Sequence, residues 1–78
     1  MALKDWKKRV DNRGKKVVSN IIIGWGRIYN DESVWVEFSR VRKKYIPLFD
    51  NTVGSKELGI YDNQKDAIKK ATEFMRTH

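Results

Sequence analysis

The sequence predicts an α+β domain: a small antiparallel sheet of three to four strands built on a long hairpin, packed on one face by a C-terminal helix, with a short helix ahead of it at the N-terminus. Three observations carry this. Residues 17–44 are dense in Val, Ile, Tyr, Trp and Phe, which suit a pleated surface, and are broken once by the polar cluster Asn30, Asp31, Glu32 and Ser33. Residues 50–55 (DNTVGS) form a clear loop by composition. After Asp62 and Asn63, the apolar residues Ala67, Ile68, Ala71, Phe74 and Met75 recur at the spacing of one helical face.

At the N-terminus, Leu3, Trp6 and Val10 fall on one helical stripe, although Trp6, Lys8 and Val10 also fit the alternation of a strand. Asp11, Asn12, Arg13 and Gly14 read as a turn. With the hairpin turning at 30–33, Tyr29 stands opposite Val34. One face then carries Ile21, Ile23, Trp25 and Arg27 beside Val34, Val36 and Phe38, and this is the candidate core. The other carries Ile22, Gly24, Gly26 and Ile28 beside Trp35, Glu37 and Val41. A bulge near Gly24 or Gly26 would exchange part of this assignment. Tyr45 to Phe49 reads as a third strand, at an edge or irregular, because Pro47 cannot donate to a ladder. Leu58 to Tyr61 reads as a short fourth strand. Asp62 or Asn63 caps the helix, and Asp66 is placed to pair with Lys70.

Seventy-eight residues make a single domain, 1–78, in which 1–14 is a basic lead-in. A chain this short buries somewhat over ~60% of its unfolded surface, so the core is small. With no cysteine, neither disulfides nor thiolate metal sites reinforce it. No apolar run approaches the ~18 residues of a membrane span, and the N-terminus lacks the apolar core of a signal peptide, so a cytoplasmic protein with no membrane partner is expected. The net charge is +7, and two short segments hold the whole excess. Residues 1–16 are net +5 and residues 40–44 net +4, residues 17–39 are net −2, and the rest are neutral. Charge concentrated in this way suits an anionic partner better than it suits solubility alone.

Catalysis is not expected. The only histidine is His78, so Ser/His and Cys/His nucleophile pairs are unavailable. The acidic residues are scattered over turns and a helix start, with no metal-ligand spacing, and no cofactor is called for. The pair Gly24 and Gly26 lacks the third glycine of a dinucleotide loop, since Tyr29 stands there.

What remains is a basic surface interleaved with aromatics. Lys15, Lys16, Arg27, Arg40, Arg42, Lys43 and Lys44 are the candidate phosphate contacts, and Trp35, beside the glycine-containing face, is the candidate stacking residue. The hairpin brings Lys15 and Lys16 to the same end as the run 40–44, which would make one anion site. The expected function is a small nucleic-acid-binding protein without enzymatic activity. It would favour single strands over a duplex, since no recognition helix is evident. The alternative is a protein-interaction module, a small inhibitor or accessory subunit, whose basic patch grips an acidic protein surface. Either a monomer or an edge-strand homodimer fits.

Overall fold

The computed structural model describes residues 6–14, 20–27 and 31–77. Within them lie β1 (Lys7–Asp11), β2 (Ile21–Arg27), β3 (Glu32–Ser39), β4 (Lys44–Asp50), β5 (Ser55–Glu57) and α1 (Gln64–Thr77). The strands form one antiparallel sheet in the order β1-β2-β3-β4-β5, each beside its neighbour in sequence. The helix returns across one face and packs on β3 and β4. The domain is therefore α+β with five strands, one or two more than the sequence suggested.

The extra strand comes from the basic lead-in. Residues 7–11 form a strand rather than the expected helix. Ten residues cannot hold a helix by themselves in water, whereas the edge of β2 offers them a ladder. Trp6, just ahead of β1, is 5% exposed and joins the core, as its place on the apolar stripe implied. The strand expected at Leu58 to Tyr61 is also displaced. β5 is Ser55–Glu57, and beyond Leu58, whose N–H still bonds to β4, Tyr61 returns to the sheet, exchanging backbone hydrogen bonds with Tyr45 at 2.8 and 2.9 Å.

The central hairpin pairs Ile23 with Val36, Trp25 with Val34 and Arg27 with Glu32. Val34 therefore faces Trp25 and not Tyr29, which lies outside the described residues, as does Ile28. The register is tighter than expected, but each partner moves by an even number of residues, so every side chain from Ile23 to Arg27 keeps its face. The bulge lies between Ile21 and Ile23, not at either glycine. It turns Ile21 to pair with Glu37 and leaves Ile22 packed against the core, reversing the faces expected for these two.

Ile23, Val34, Val36, Ala67, Ala71 and Met75 are buried together under the helix, with Trp25, Phe49, Ile68 and Phe74 packed around them. Ala67 and Ala71 have no exposed surface, so the helix backbone comes close to the sheet. The rings of Phe49 and Phe74 meet at 4.9 Å across the interface. Asn63 caps the helix: the Asp66 backbone N–H donates to Asn63 Oδ1 at 2.8 Å, and Asn63 Nδ2 donates back to Asp66 at 3.1 Å. Asp66 thus serves the cap rather than pairing with Lys70.

Pro47 sits inside β4, opposite Val36. A residue's N and C=O point to the same side of a strand, and the Pro47 carbonyl accepts from the Leu58 N–H at 2.8 Å. The missing N–H therefore faces the gap between β5 and the Tyr61 bridge, where no ladder donor is needed.

Candidate nucleic-acid interface

One helix covers one face of the sheet. On the opposite face, among the described residues, Ile46 is the only buried side chain of the apolar set. The register reads this face in rows. Val10, Gly24, Trp35, Leu48 and Glu57 form one row across the five strands, and Lys7, Gly26, Ser33, Asp50 and Ser55 form the next. The middle of β2 thus presents two glycines, leaving a hollow of about 170 Å³ whose walls include Arg9, Val10, Ser33 and Trp35. A Cβ on Gly24 would stand 3.3 Å from the Trp35 Cβ, so a side chain there would crowd the indole and fill the hollow.

Trp35 is half-buried in this face, and its Nε1 donates to Glu37 Oε1 at 3.0 Å, which fixes the ring's orientation. Arg9, displaced by the β1 bulge between Lys8 and Val10, lies over Gly26, its Nε 3.4 Å from where a Cβ would be. Charge is divided across the face. Lys7 and Arg9 are exposed on the β1 side, while the acids lie on the β3–β5 side, where most are engaged. Glu57 pairs with Arg42 at 3.1 Å, Asp50 accepts from the Ser55 hydroxyl at 2.7 Å, and Glu37 holds the indole.

The turn after β3 holds the second concentration of charge and divides it. Arg42 is committed to Glu57, and Lys44 forms an ion pair with Asp62. Two cations of the run thus neutralise acids of neighbouring segments. Arg40 and Lys43 are exposed with no ion partner among the described residues. Lys43 has a φ of 56°, and its N–H donates to the Ser39 carbonyl at 2.7 Å. A lysine in this left-handed conformation is less favourable than a glycine would be. Lys15 and Lys16 lie outside the described residues, so their pairing with this turn is not placed.

Arg27 is elsewhere. It is 4% exposed, on the helix side of the sheet, with its guanidinium 4.0 Å from the Trp6 ring and its Nη2 3.0 Å from Glu32. The alternation of β2 points it inward with Ile23 and Trp25, and the Trp6 ring offers a cation a favourable surface. It takes no part in the exposed surface. The cations that sequence reasoning left out of the site are Lys7 and Arg9. Reading the lead-in as a helix hid them, whereas the alternation Trp6, Lys8, Val10 could have found them.

At the end of the sheet nearest Arg40, a cleft of about 270 Å³ opens between residues 12–14, residues 20–22, Arg40 and the start of α1. Arg13 and Arg40 stand on its rim, and Phe38 and Tyr45, whose rings meet at 5.0 Å, form part of its wall. Arg13 is held by Asp11 through Nε at 2.9 Å and Nη2 at 2.7 Å, and the guanidinium keeps the Asp11 carboxyl well below the usual carboxylate range.

The chain matches no protein-family model, no curated protein and no solved structure. Its chemistry rests on its own residues.

Proposed function

We propose that this protein binds single-stranded nucleic acid on the face of the sheet that the helix leaves uncovered. The observation that carries the reading is Trp35, held in orientation by Glu37 beside the glycine hollow, with Arg9 in the wall of that hollow and Lys7 opposite Gly26. A base stacks on the indole, and the hollow admits its edge. The phosphates follow the β1 side, away from Asp50 and Glu57, toward Arg40 and Lys43, which have no ion partner among the described residues. Stacking of an unpaired base on an aromatic contributes about 1–3 kcal/mol, and each phosphate contact adds a salt-dependent increment. A duplex keeps its bases stacked on one another and gains only the second term.

The test is fluorescence anisotropy of labelled single-stranded and double-stranded oligonucleotides from low to physiological salt, with tryptophan emission followed in parallel. Single strands should bind more tightly and quench emission. Trp35→Ala should abolish the quenching and weaken binding by about 1–3 kcal/mol, and Arg9→Ala should flatten the salt dependence. Absence of binding at low salt would end this reading.

A second reading has its own observation. Val41, between Arg40 and Arg42 at the tip of the basic turn, is 95% exposed. An apolar tip ringed by cations also suits an acidic protein surface with an apolar notch, as in a small inhibitor or accessory subunit. That reading predicts one saturable protein partner, lost on Val41→Asp, and weak binding of nucleic acid.

A further inference from the structure

The cleft at the sheet end belongs to neither the Trp35 face nor the hydrophobic core, and its composition is selective. Among the described residues its lining contains no carboxylate. Arg40 brings a positive charge with no ion partner among the described residues, whereas Arg13 is paired with Asp11. Asn20 and Gln64 enter from opposite sides, one ahead of β2 and one opening α1, and their amides have no hydrogen-bond partner among the described residues. Asn12 spends only its Nδ2, on the Ile21 carbonyl at 3.0 Å, and keeps its oxygen. Phe38 and Tyr45 add an aromatic wall.

Each feature answers one part of the same kind of ligand. Guanidinium groups match phosphate. Side-chain amides, both donors and acceptors, match the edge of a heterocycle, and aromatic rings match its face. A sugar would need no cation, and a nucleotide uses the cation, the amides and the aromatic wall together. We propose that this cleft binds a nucleoside phosphate, either a free mononucleotide or the terminal nucleotide of a strand. The proposal does not depend on stacking at Trp35, which lies on the other face of the sheet.

The experiment uses the full chain, isotopically labelled, and follows backbone amide shifts on titration with adenosine 5′-monophosphate. Adenosine and inorganic phosphate serve as separate controls, and a 5′-phosphorylated oligonucleotide is compared with its hydroxyl-terminated twin. Saturable shifts should centre on Asn12, Asn20, Arg40 and Gln64, and each control should bind about tenfold more weakly than the nucleotide. Gln64→Glu places a negative charge at the cleft but in the first turn of α1, where it favours the helix. It should weaken nucleotide binding about tenfold with the fold intact, as should Arg40→Ala, while Trp35→Ala leaves it unchanged. Tighter Gln64-dependent binding of the phosphorylated oligonucleotide assigns the site to strand ends, and binding of the mononucleotide alone assigns it to a free ligand. Equal binding of inorganic phosphate, shifts spread over β1 and the Trp35 face, or indifference to both cleft substitutions would overturn the proposal. Loss of oligonucleotide quenching in Trp35→Ala with nucleotide shifts retained would separate this site from the Trp35 surface.

Discussion

Burial of Arg27 rests on three contacts: the Trp6 ring against its guanidinium, the Glu32 carboxylate beside it, and the backbone pair that joins Arg27 to Glu32 across the hairpin. Its Nε and Nη1 have no hydrogen-bond partner among the described residues, so Glu32 and the ring supply the compensation for a desolvated charge. Glu32→Ala should therefore destabilise the protein by about 3 kcal/mol, because a buried cation is left unpaired. The double variant Arg27→Met/Glu32→Leu should recover most of that loss, since both charges go together. Urea unfolding of the three proteins checks this, and a double variant no more stable than Glu32→Ala would refute it. Asp11 offers a pH counterpart. Its carboxyl, bonded by Arg13 and more weakly by Lys8, has a folded pKa below the unfolded value of about 3.9. A depressed pKa contributes stability that is complete above the unfolded value and is lost as pH falls toward the folded one. The link from Asp11 to Arg13 should thus hold throughout the neutral and mildly acidic range. A carbon-detected titration of Asp11 should show no midpoint near 3.9 in the parent protein, and one moved up toward it in Arg13→Ala, where the backbone N–H at position 13 and Lys8 still hold it somewhat low.

At the scale of the element, α1 depends on its cap as well as its apolar face. Asn63 Oδ1 accepts from the Asp66 N–H and Asn63 Nδ2 donates to the Asp66 carboxylate, so two polar groups at the helix start are settled locally. Asn63→Ala should cost about 1 kcal/mol in urea unfolding, and Asn63→Ser should restore most of it, because a hydroxyl also accepts from the first turn. An Ala variant as stable as the parent would mean that packing of Ala67, Ala71 and Met75 alone fixes the helix. The strands obey a related economy. β2 accepts glycines at two of its positions on the open face because the alternates on the helix side, buried Ile23 and half-buried Trp25, carry its packing, and those glycines make the hollow beside Trp35.

Among the described residues the sheet ends in β1 on one side and β5 on the other, and each is poor for strand addition. β1 carries Lys7, Lys8 and Arg9 and is bulged, and β5 is only three residues long. The protein should therefore sediment as a monomer of 9.2 kDa at micromolar concentrations, and twice that mass would point to pairing through an edge. Among the described residues no helix is long and apolar enough to cross a membrane.

The helix and its buried face, the open face of β2–β3 and the place of Trp35 on it were all legible in the chain. Each follows from a local period, 3.6 or 2, that neighbouring residues enforce on one another. The β1 strand, the bulge at Ile22 and the fates of Arg27, Arg42 and Lys44 were not. Those depend on pairing between segments far apart in sequence: Lys8 meets Trp25, Arg42 meets Glu57 and Lys44 meets Asp62. Composition determined that the chain carries concentrated positive charge. Only the tertiary structure decided which cations are spent on acids or buried under the sheet and which face solvent, because charge compensation is settled between whichever side chains the fold brings within a few ångströms.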